Sequence, residues 1–311
     1  MNKNKVVLAG AGTMGASLAQ VYALAGWDTV LYNRSERGLE RAGRLIELNQ
    51  ETLAAEGIVS PEQARKTKEC ILMTTDKAVF SDAYLVVESV AEDLEVKRSF
   101  WHEVSRLVPA QALLATNTSG LHISEIAQAV ELPERFMGQH WLNPPHLLPL
   151  CELIVGEKTG ADTVKTMREL ILAIGKKPVV VKDINGFIVN RIQFAVLREA
   201  LHIVESGAAG YEDVDTVLKA GMGIRYAALG PFGVADFGGL DVFEHISDYL
   251  NEDLSDAKGS SPLLKELVDQ GKLGVKSGSG FYDYSGDKAA EAIRERDRLY
   301  IELAKVLYFK K

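Results

Sequence analysis

Val6-Val7-Leu8-Ala9-Gly10-Ala11-Gly12-Thr13-Met14-Gly15 is the stretch on which the fold turns. Four apolar residues in an unbroken run fit a strand covered on both faces, as parallel strands are. Three glycines follow at once with the spacing Gly-x-Gly-x-x-Gly. Leu18, Ala19, Tyr22 and Ala25 then recur at helical spacing up to Gly26, and 29–33 is a second β-rich run. Strand, glycine turn, helix and strand within about 30 residues make a βαβ unit.

Working outward, 35–57 is charged and helical in pattern and stops at Gly57. Ser60-Pro61-Glu62-Gln63 then opens another helix: Ser60 can cap it, Pro61 suits its first turn, and Gln63 can reach back in a capping box. Residues 35–69 therefore read as a helical hairpin inserted after the second strand. Further apolar runs stand at 85–87, 113–116 and 179–181, with 136–142 and 150–155 between the last two. Asn143-Pro144-Pro145 separates that pair. Proline lacks the N–H a central strand needs, so the chain turns there, and the two runs are expected to be antiparallel neighbours.

After Asp183 the pattern becomes helical, at 187–206, 212–220, 242–250 and 262–270, with stretches rich in Gly and Pro between. The expected fold is α/β: an N-terminal doubly wound Rossmann sheet carrying the hairpin, then an all-helical C-terminal domain. The boundary falls near Asn185-Gly186, giving domains 1–185 and 186–311.

Composition narrows the function. The chain has 311 residues, 47% hydrophobic and 25% charged, which is ordinary for a globular protein. Its formal net charge of -8 offers no bulk basic footprint for nucleic acid. No run reaches the roughly 18 apolar residues of a membrane span. The charged N-terminus passes directly into a short strand and does not read as a signal peptide. Cys70 and Cys151 each sit in an apolar stretch, so two buried, reduced thiols in a cytoplasmic protein are expected. His140 and His146 flank the proline turn without an evident third ligand, so no metal site is expected.

The glycine motif gains force from its context, after a strand and opening a helix. Gly10 allows the tight turn, Gly12 lets the backbone approach a pyrophosphate, and Gly15 lets helix and strand pack closely. The N–H groups around Thr13 and Met14 face the phosphates at the helix start. The end of the second strand usually carries an acid for the ribose. Here it carries Asn33, followed by Arg34. Asn33 keeps a hydrogen bond without a negative charge, and Arg34 can grip a 2′-phosphate. The pair favours NADP(H), with NAD(H) also possible.

The remaining clusters are Glu88-Ser89-Val90-Ala91-Glu92-Asp93-Leu94-Glu95-Val96-Lys97, Ala115-Thr116-Asn117-Thr118-Ser119-Gly120, Gly138-Gln139-His140-Trp141-Leu142-Asn143-Pro144 with Glu152, and Asn185-Gly186-Phe187-Ile188-Val189-Asn190-Arg191. With these the sequence resembles, essentially end to end, the 3-hydroxyacyl-CoA dehydrogenase family. The resemblance includes the hairpin and the C-terminal Leu273-Gly274-Val275-Lys276-Ser277-Gly278 run. It implies an oxidoreductase of fatty acid metabolism that interconverts a 3-hydroxyacyl group and its 3-oxo form, and a homodimer formed through the helical domain. His140 matches the catalytic base and Glu152 its partner. Ser119 and Asn190 match residues that hold the reacting oxygen. Asn143 matches one near the nicotinamide, and Glu92, Lys97, Asn117 and Lys276 match cofactor contacts. A secondary alcohol needs such a base, and a histidine, with an ordinary pKa near 6.5, suits the task.

Two departures bear on the substrate. His140-Trp141-Leu142-Asn143-Pro144-Pro145 lacks the two aromatics and the Asn-Pro-x-Pro turn usual in acyl-CoA members. Gly221-Met222-Gly223-Ile224-Arg225-Tyr226 replaces an Asn-His-Pro-Met type of run. Both are more similar to members acting on small free acids, such as gulonate, carnitine or a pyridine carboxylate. Arg225 can clamp a substrate carboxylate. Three readings therefore stand: a dehydrogenase of a 3-hydroxyacyl-CoA or 3-hydroxy acid, a dehydrogenase of a small free carboxylic acid, and a dinucleotide-binding protein without catalysis. A short-chain dehydrogenase is disfavoured, because only Tyr284 and Lys288 fit its Tyr-x-x-x-Lys motif.

Overall fold

The computed structural model describes residues 4–308. The first three residues of the charged N-terminus lie outside that range. The chain divides into two compact units, Met1–Asn190 and Arg191–Lys311.

The first unit runs β1 (Lys5–Ala9), α1 (Thr13–Leu24), β2 (Asp28–Tyr32), α2 (Glu36–Ala55), α3 (Pro61–Glu69), β3 (Ile71–Thr74), β4 (Leu85–Glu88), α4 (Leu94–Leu107), β5 (Leu113–Thr116), α5 (Ile123–Ile126), β6 (Phe136–Trp141), β7 (Leu150–Val155), α6 (Ala161–Ala173) and β8 (Lys177–Lys182). These strands form one sheet in the order β3-β2-β1-β4-β5-β6-β7-β8. Every neighbouring pair is parallel except β6 and β7, which are antiparallel as the proline turn requires. Alternate strand residues feed different cores. Val6, Leu8, Leu85 and Val87 pack with Leu18 and Tyr22 of α1. Val7, Ala9 and Val86 pack with Trp101 of α4 and Phe136. Burial on both faces explains the unbroken apolar runs.

The hairpin is α2 and α3. Ser60 accepts from the Gln63 N–H while the Gln63 side chain accepts from the Ser60 N–H, a complete capping box. β3 has no counterpart in the apolar runs picked out above. It is an edge strand whose Leu72 and Met73 are exposed. Cys151 is buried, but Cys70 is exposed at the end of α3. The expectation of two buried thiols fails there because the following residues form that open edge.

The second unit continues α7 (Val189–Glu205) and adds α8 (Tyr211–Val217), α9 (Ile224–Gly238), α10 (Leu240–Asp253), α11 (Pro262–Asp269) and α12 (Lys288–Leu307). A wide π-type segment, Leu218–Gly223, joins α8 to α9. The Gly- and Pro-rich stretch expected to be irregular is therefore helical. It bends at Gly230, whose φ of +72° only glycine adopts readily, and Pro231 starts the second half of α9 where a missing N–H costs nothing. No described helix is long and apolar enough to cross a membrane.

Candidate active site

The parallel strands aim their carboxyl ends at one rim, and the strand order reverses between β1 and β4, where open α/β sheets bind ligands. At the head of β1, Gly10 has φ +106°, and a Cβ there would lie 2.5 Å from the Ser89 carbonyl oxygen. A Cβ on Gly15 would lie 1.8 Å from the Gly10 oxygen, so that glycine is demanded by packing. A Cβ on Gly12 would meet no protein atom within 4 Å. The space beside Gly12 is open, as close approach of a pyrophosphate needs. Helix α1 starts there with no side-chain cap and no acid in its first turn. These features fit a dinucleotide.

At the end of β2, the Asn33 Oδ1 accepts from the Ala11 N–H at 3.4 Å, and its Nδ2 donates to the Ser35 carbonyl at 3.0 Å. Asn33 thus ties the ribose end of the site to the glycine loop. Arg34 beside it is exposed.

The ends of β4 and β5 are joined by a buried charge network. Glu88 and Lys97 are both fully buried, with Lys97 Nζ 2.6 Å from Glu88 Oε1. Glu88 also accepts from the Val90 N–H, the Trp101 indole N–H and the Thr116 hydroxyl. Lys97 donates to the Asn117 carbonyl at 3.2 Å and lies 3.4 Å from Glu92 Oε2. Glu92 accepts from the Thr118 hydroxyl and the Ser119 N–H. Lys97 was expected among the direct cofactor contacts. Its side chain has no exposed surface, so it meets the site through the residues it holds. Glu88 was not singled out. Its position at the end of an apolar strand was the available signal, because a buried carboxylate needs several donors.

Across the β6–β7 ladder, His140 stands opposite Glu152. Both are buried, and His140 Nδ1 lies 2.7 Å from Glu152 Oε2. The other carboxylate oxygen accepts from the Ile188 and Val189 N–H groups at 2.9 and 3.1 Å, at the start of α7. Burial alone would raise the Glu152 pKa. The His140 ring and these two N–H groups outweigh it and hold the carboxyl below its usual range. The Glu152 carboxylate therefore orients the ring with Nδ1–H as donor, an assignment made from this network, and leaves Nε2 as the free basic nitrogen. Phe187, at φ +50° and fully buried, packs against the imidazole at 5.4 Å between ring centres. It is a second residue that sequence reading missed, since nothing in its composition marks a contact with the histidine.

Thr13, Met14, Asn117, Ser119, His140, Trp141, Leu142, Asn143 and Asn190 line one cavity of about 350 Å³. The Asn190 Nδ2 donates to the Ser119 carbonyl at 2.7 Å, so one of its N–H groups is taken by the loop after β5. Asn117 accepts from the Trp141 N–H and donates to the Ser89 hydroxyl. The indole N–H of Trp141 is taken by Gln139 in the core. Arg225, on the first turn of α9, and Lys276, in the turn Val275–Ser277, belong to the second unit, and both are exposed. Among the described residues no group of three or more His, Cys, Asp or Glu is placed to hold a metal ion.

A glycine loop at the switch point of the sheet, beside a carboxylate-oriented histidine, suits the chemistry of a dehydrogenase. Comparison with known proteins gives the class a family. The profile described as "3-hydroxyacyl-CoA dehydrogenase, NAD binding domain" matches residues 5–184, and the one described as "3-hydroxyacyl-CoA dehydrogenase, C-terminal domain" matches 186–284. The 5-formyl-3-hydroxy-2-methylpyridine 4-carboxylate 5-dehydrogenase of Mesorhizobium japonicum is 36% identical over 97% of this chain and 97% of its own length. The 3-hydroxybutyryl-CoA dehydrogenase of Bradyrhizobium diazoefficiens is 37% identical over 91% of this chain and 96% of its own. A crystal structure of a dehydrogenase of that same pyridine compound, described as an NAD+ dependent dismutase, superposes with a TM-score of 0.92 at 35% identity and covers 99% of each chain. The chain belongs to the 3-hydroxyacyl-CoA dehydrogenase family and is an NAD-dependent oxidoreductase of that type.

Proposed function

We propose that this protein interconverts a hydroxyl and a carbonyl on a small carboxylated substrate that carries no coenzyme A, with His140 as general base. The observation that carries the chemistry is the 2.7 Å His140–Glu152 pair at the wall of the 350 Å³ cavity. Bound at the glycine loop, NAD supplies the hydride acceptor. In the oxidative direction His140 Nε2 takes the hydroxyl proton, and Glu152 stabilises the imidazolium that forms. In the reductive direction the same nitrogen returns it. Ser119 and the remaining N–H of Asn190 hold the reacting oxygen. Asn143, which lines the same cavity as His140, would meet the nicotinamide. Glu92 and Asn117 shape the cofactor rim, and Lys97 supports both.

The free-acid reading is supported by likeness of structure rather than by extent: the pyridine-carboxylate dehydrogenase superposes with a TM-score of 0.92, against 0.67 for a 3-hydroxyacyl-CoA dehydrogenase of Archaeoglobus fulgidus that covers 98% of this chain. Domain 1–185 would hold the cofactor. Arg225 keeps its proposed role toward a substrate carboxylate and Lys276 its proposed role toward the cofactor, and domain 186–311 would carry the dimer contact. Support for a homodimer comes from α10, which has no buried residue although Val242, Phe243, Ile246, Tyr249 and Leu250 are apolar. Two free thiols, one of them exposed, suit a reducing, cytoplasmic setting.

The test follows NADH oxidation with acetoacetyl-CoA and, in parallel, with 5-formyl-3-hydroxy-2-methylpyridine 4-carboxylate or a small free 3-oxo acid. Turnover confined to the free acids is the expected result, and Arg225→Ala should then raise the substrate KM. Efficient turnover of acetoacetyl-CoA would instead assign the chain to acyl-CoA chemistry. For the coenzyme, the missing carboxylate at the end of β2 and the exposed Arg34 support a preference for NADP(H) within the family's nicotinamide chemistry. A lower KM for NADH than for NADPH would overturn it.

A further inference from the structure

The turn between β6 and β7 joins the two residues of the His140–Glu152 pair, and it has few backbone donors. Pro144, Pro145 and Pro149 contribute none. The Leu147 and Leu148 N–H groups both go to the Pro144 carbonyl, at 3.1 Å each. The carbonyls of Pro145 and Leu148 are met by one side chain. Lys176 Nζ donates to them at 2.6 and 2.9 Å.

Lys176 sits at the corner between α6 and β8 and is only 7% exposed. No carboxylate is among the charged groups that act on it. Burial pushes its ammonium down to about 8, and the buried Cys151 of β7 acts in the opposite direction. A buried ammonium without a counter-ion is costly, and the charge-assisted bonds it makes to the two carbonyls are its compensation. Those bonds pin two points of a turn whose third point, Asn143, lines the cavity beside His140.

We propose that Lys176 is a positioning residue for the reaction: its ammonium clamps the proline turn so that Asn143 faces the His140 cavity and His140 stays opposite Glu152. The proposal rests on the reading of His140 and Asn143 as residues of the reaction.

Lys176→Met removes the donors and keeps most of the volume. In the full chain it is expected to lower kcat at least tenfold while the NADH Kd, read by fluorescence, stays within about twofold. Amide hydrogen exchange at Leu147 and Leu148 should quicken at least tenfold, with β1, β4 and β5 unchanged. Wild-type kcat, or loss of NADH binding together with general loss of protection across the first unit, would overturn the proposal. The second outcome would mark Lys176 as merely structural. Should Lys176→Met fail to fold, Lys176→Gln carries the same comparison, and wild-type turnover with wild-type exchange would overturn the clamp. If the wild type turns over neither acetoacetyl-CoA nor the free acids, the proposed function fails, yet the exchange experiment needs no substrate. Unchanged exchange at Leu147 and Leu148 would then reject the clamp by itself.

Discussion

The two units differ in how far each covers its own apolar surface. In the first, helices flank the sheet on both faces, and two cores take alternate residues of the same strands. In the second, Leu201, Val234, Ile301 and Ala304 are the buried residues among those described. Phe232 and Phe237 of α9 are 86% and 84% exposed. Self-contained burial explains why the nucleotide rim and the His140–Glu152 pair can be read from the first unit alone. Exposed apolar faces of that extent mark a surface made for association, which is the physical basis of the proposed homodimer.

The comparison can be broken most directly by separating the units. Residues 1–190 expressed alone should unfold cooperatively and bind NADH, whereas 191–311 alone should aggregate or self-associate. Calorimetry and light scattering check both. A monomeric, cooperatively folded 191–311 would show that the helical unit needs no covering.

A sharper probe lies inside the first unit. Lys97→Met leaves the Glu88 carboxyl buried and short of one donor. Removing one member of a buried pair costs about 3–5 kcal/mol, so urea unfolding should shift by that order, and Glu88→Met in the same chain should recover part of it. An unshifted midpoint would mean that the network carries no stability.

The contrast also bears on what the sequence could reveal. β1, α1 and β2 were legible because burial on both faces writes unbroken apolar runs, and the glycine spacing has one common use. The hairpin was legible from the Ser60–Gln63 capping box, and the β6–β7 turn from Pro144 and Pro145. β3 was passed over although Ile71-Leu72-Met73 is an apolar run as short as that of β8, the other edge strand, whose Val179 and Val180 are exposed too. α9 was not legible, because Gly230 and Pro231 read as breakers when they in fact bend a helix. α12 was passed over although its helical pattern is much like that of α2. At the site, His140, Glu152, Ser119 and Asn190 were visible through resemblance and are near one another in the structure. Glu88, Phe187 and Lys176 were not singled out. Their work depends on partners that are distant in sequence, as with Thr116, 28 residues from Glu88, and the Pro145 carbonyl, 31 residues from Lys176.

A smaller effect is expected in the second unit. Phe232→Glu combined with Phe237→Glu should convert a dimer to a monomer by size-exclusion with light scattering, leaving NADH affinity within about twofold. A persistent dimer would move the interface off this face.

The smallest effect is on pH dependence. The Lys176 pKa is depressed in the folded chain, to about 8 from the ordinary 10.5. Between those values the unfolded chain binds more protons, so the Lys176 contribution to stability rises with pH across about 8 to 10.5 and is flat below that window. The difference in unfolding free energy between wild type and Lys176→Met should therefore drift in favour of the wild type over that range, by at most about 3 kcal/mol. A constant difference would show an unperturbed lysine.

The central claim is that the His140–Glu152 pair performs the proton transfer while the glycine rim binds cofactor independently. His140→Gln tests it, with NADH-linked turnover and NADH affinity measured on the same preparation. The account predicts a loss of kcat of about 10²- to 10⁴-fold with the NADH Kd within about twofold. Turnover within tenfold of the wild type would contradict it.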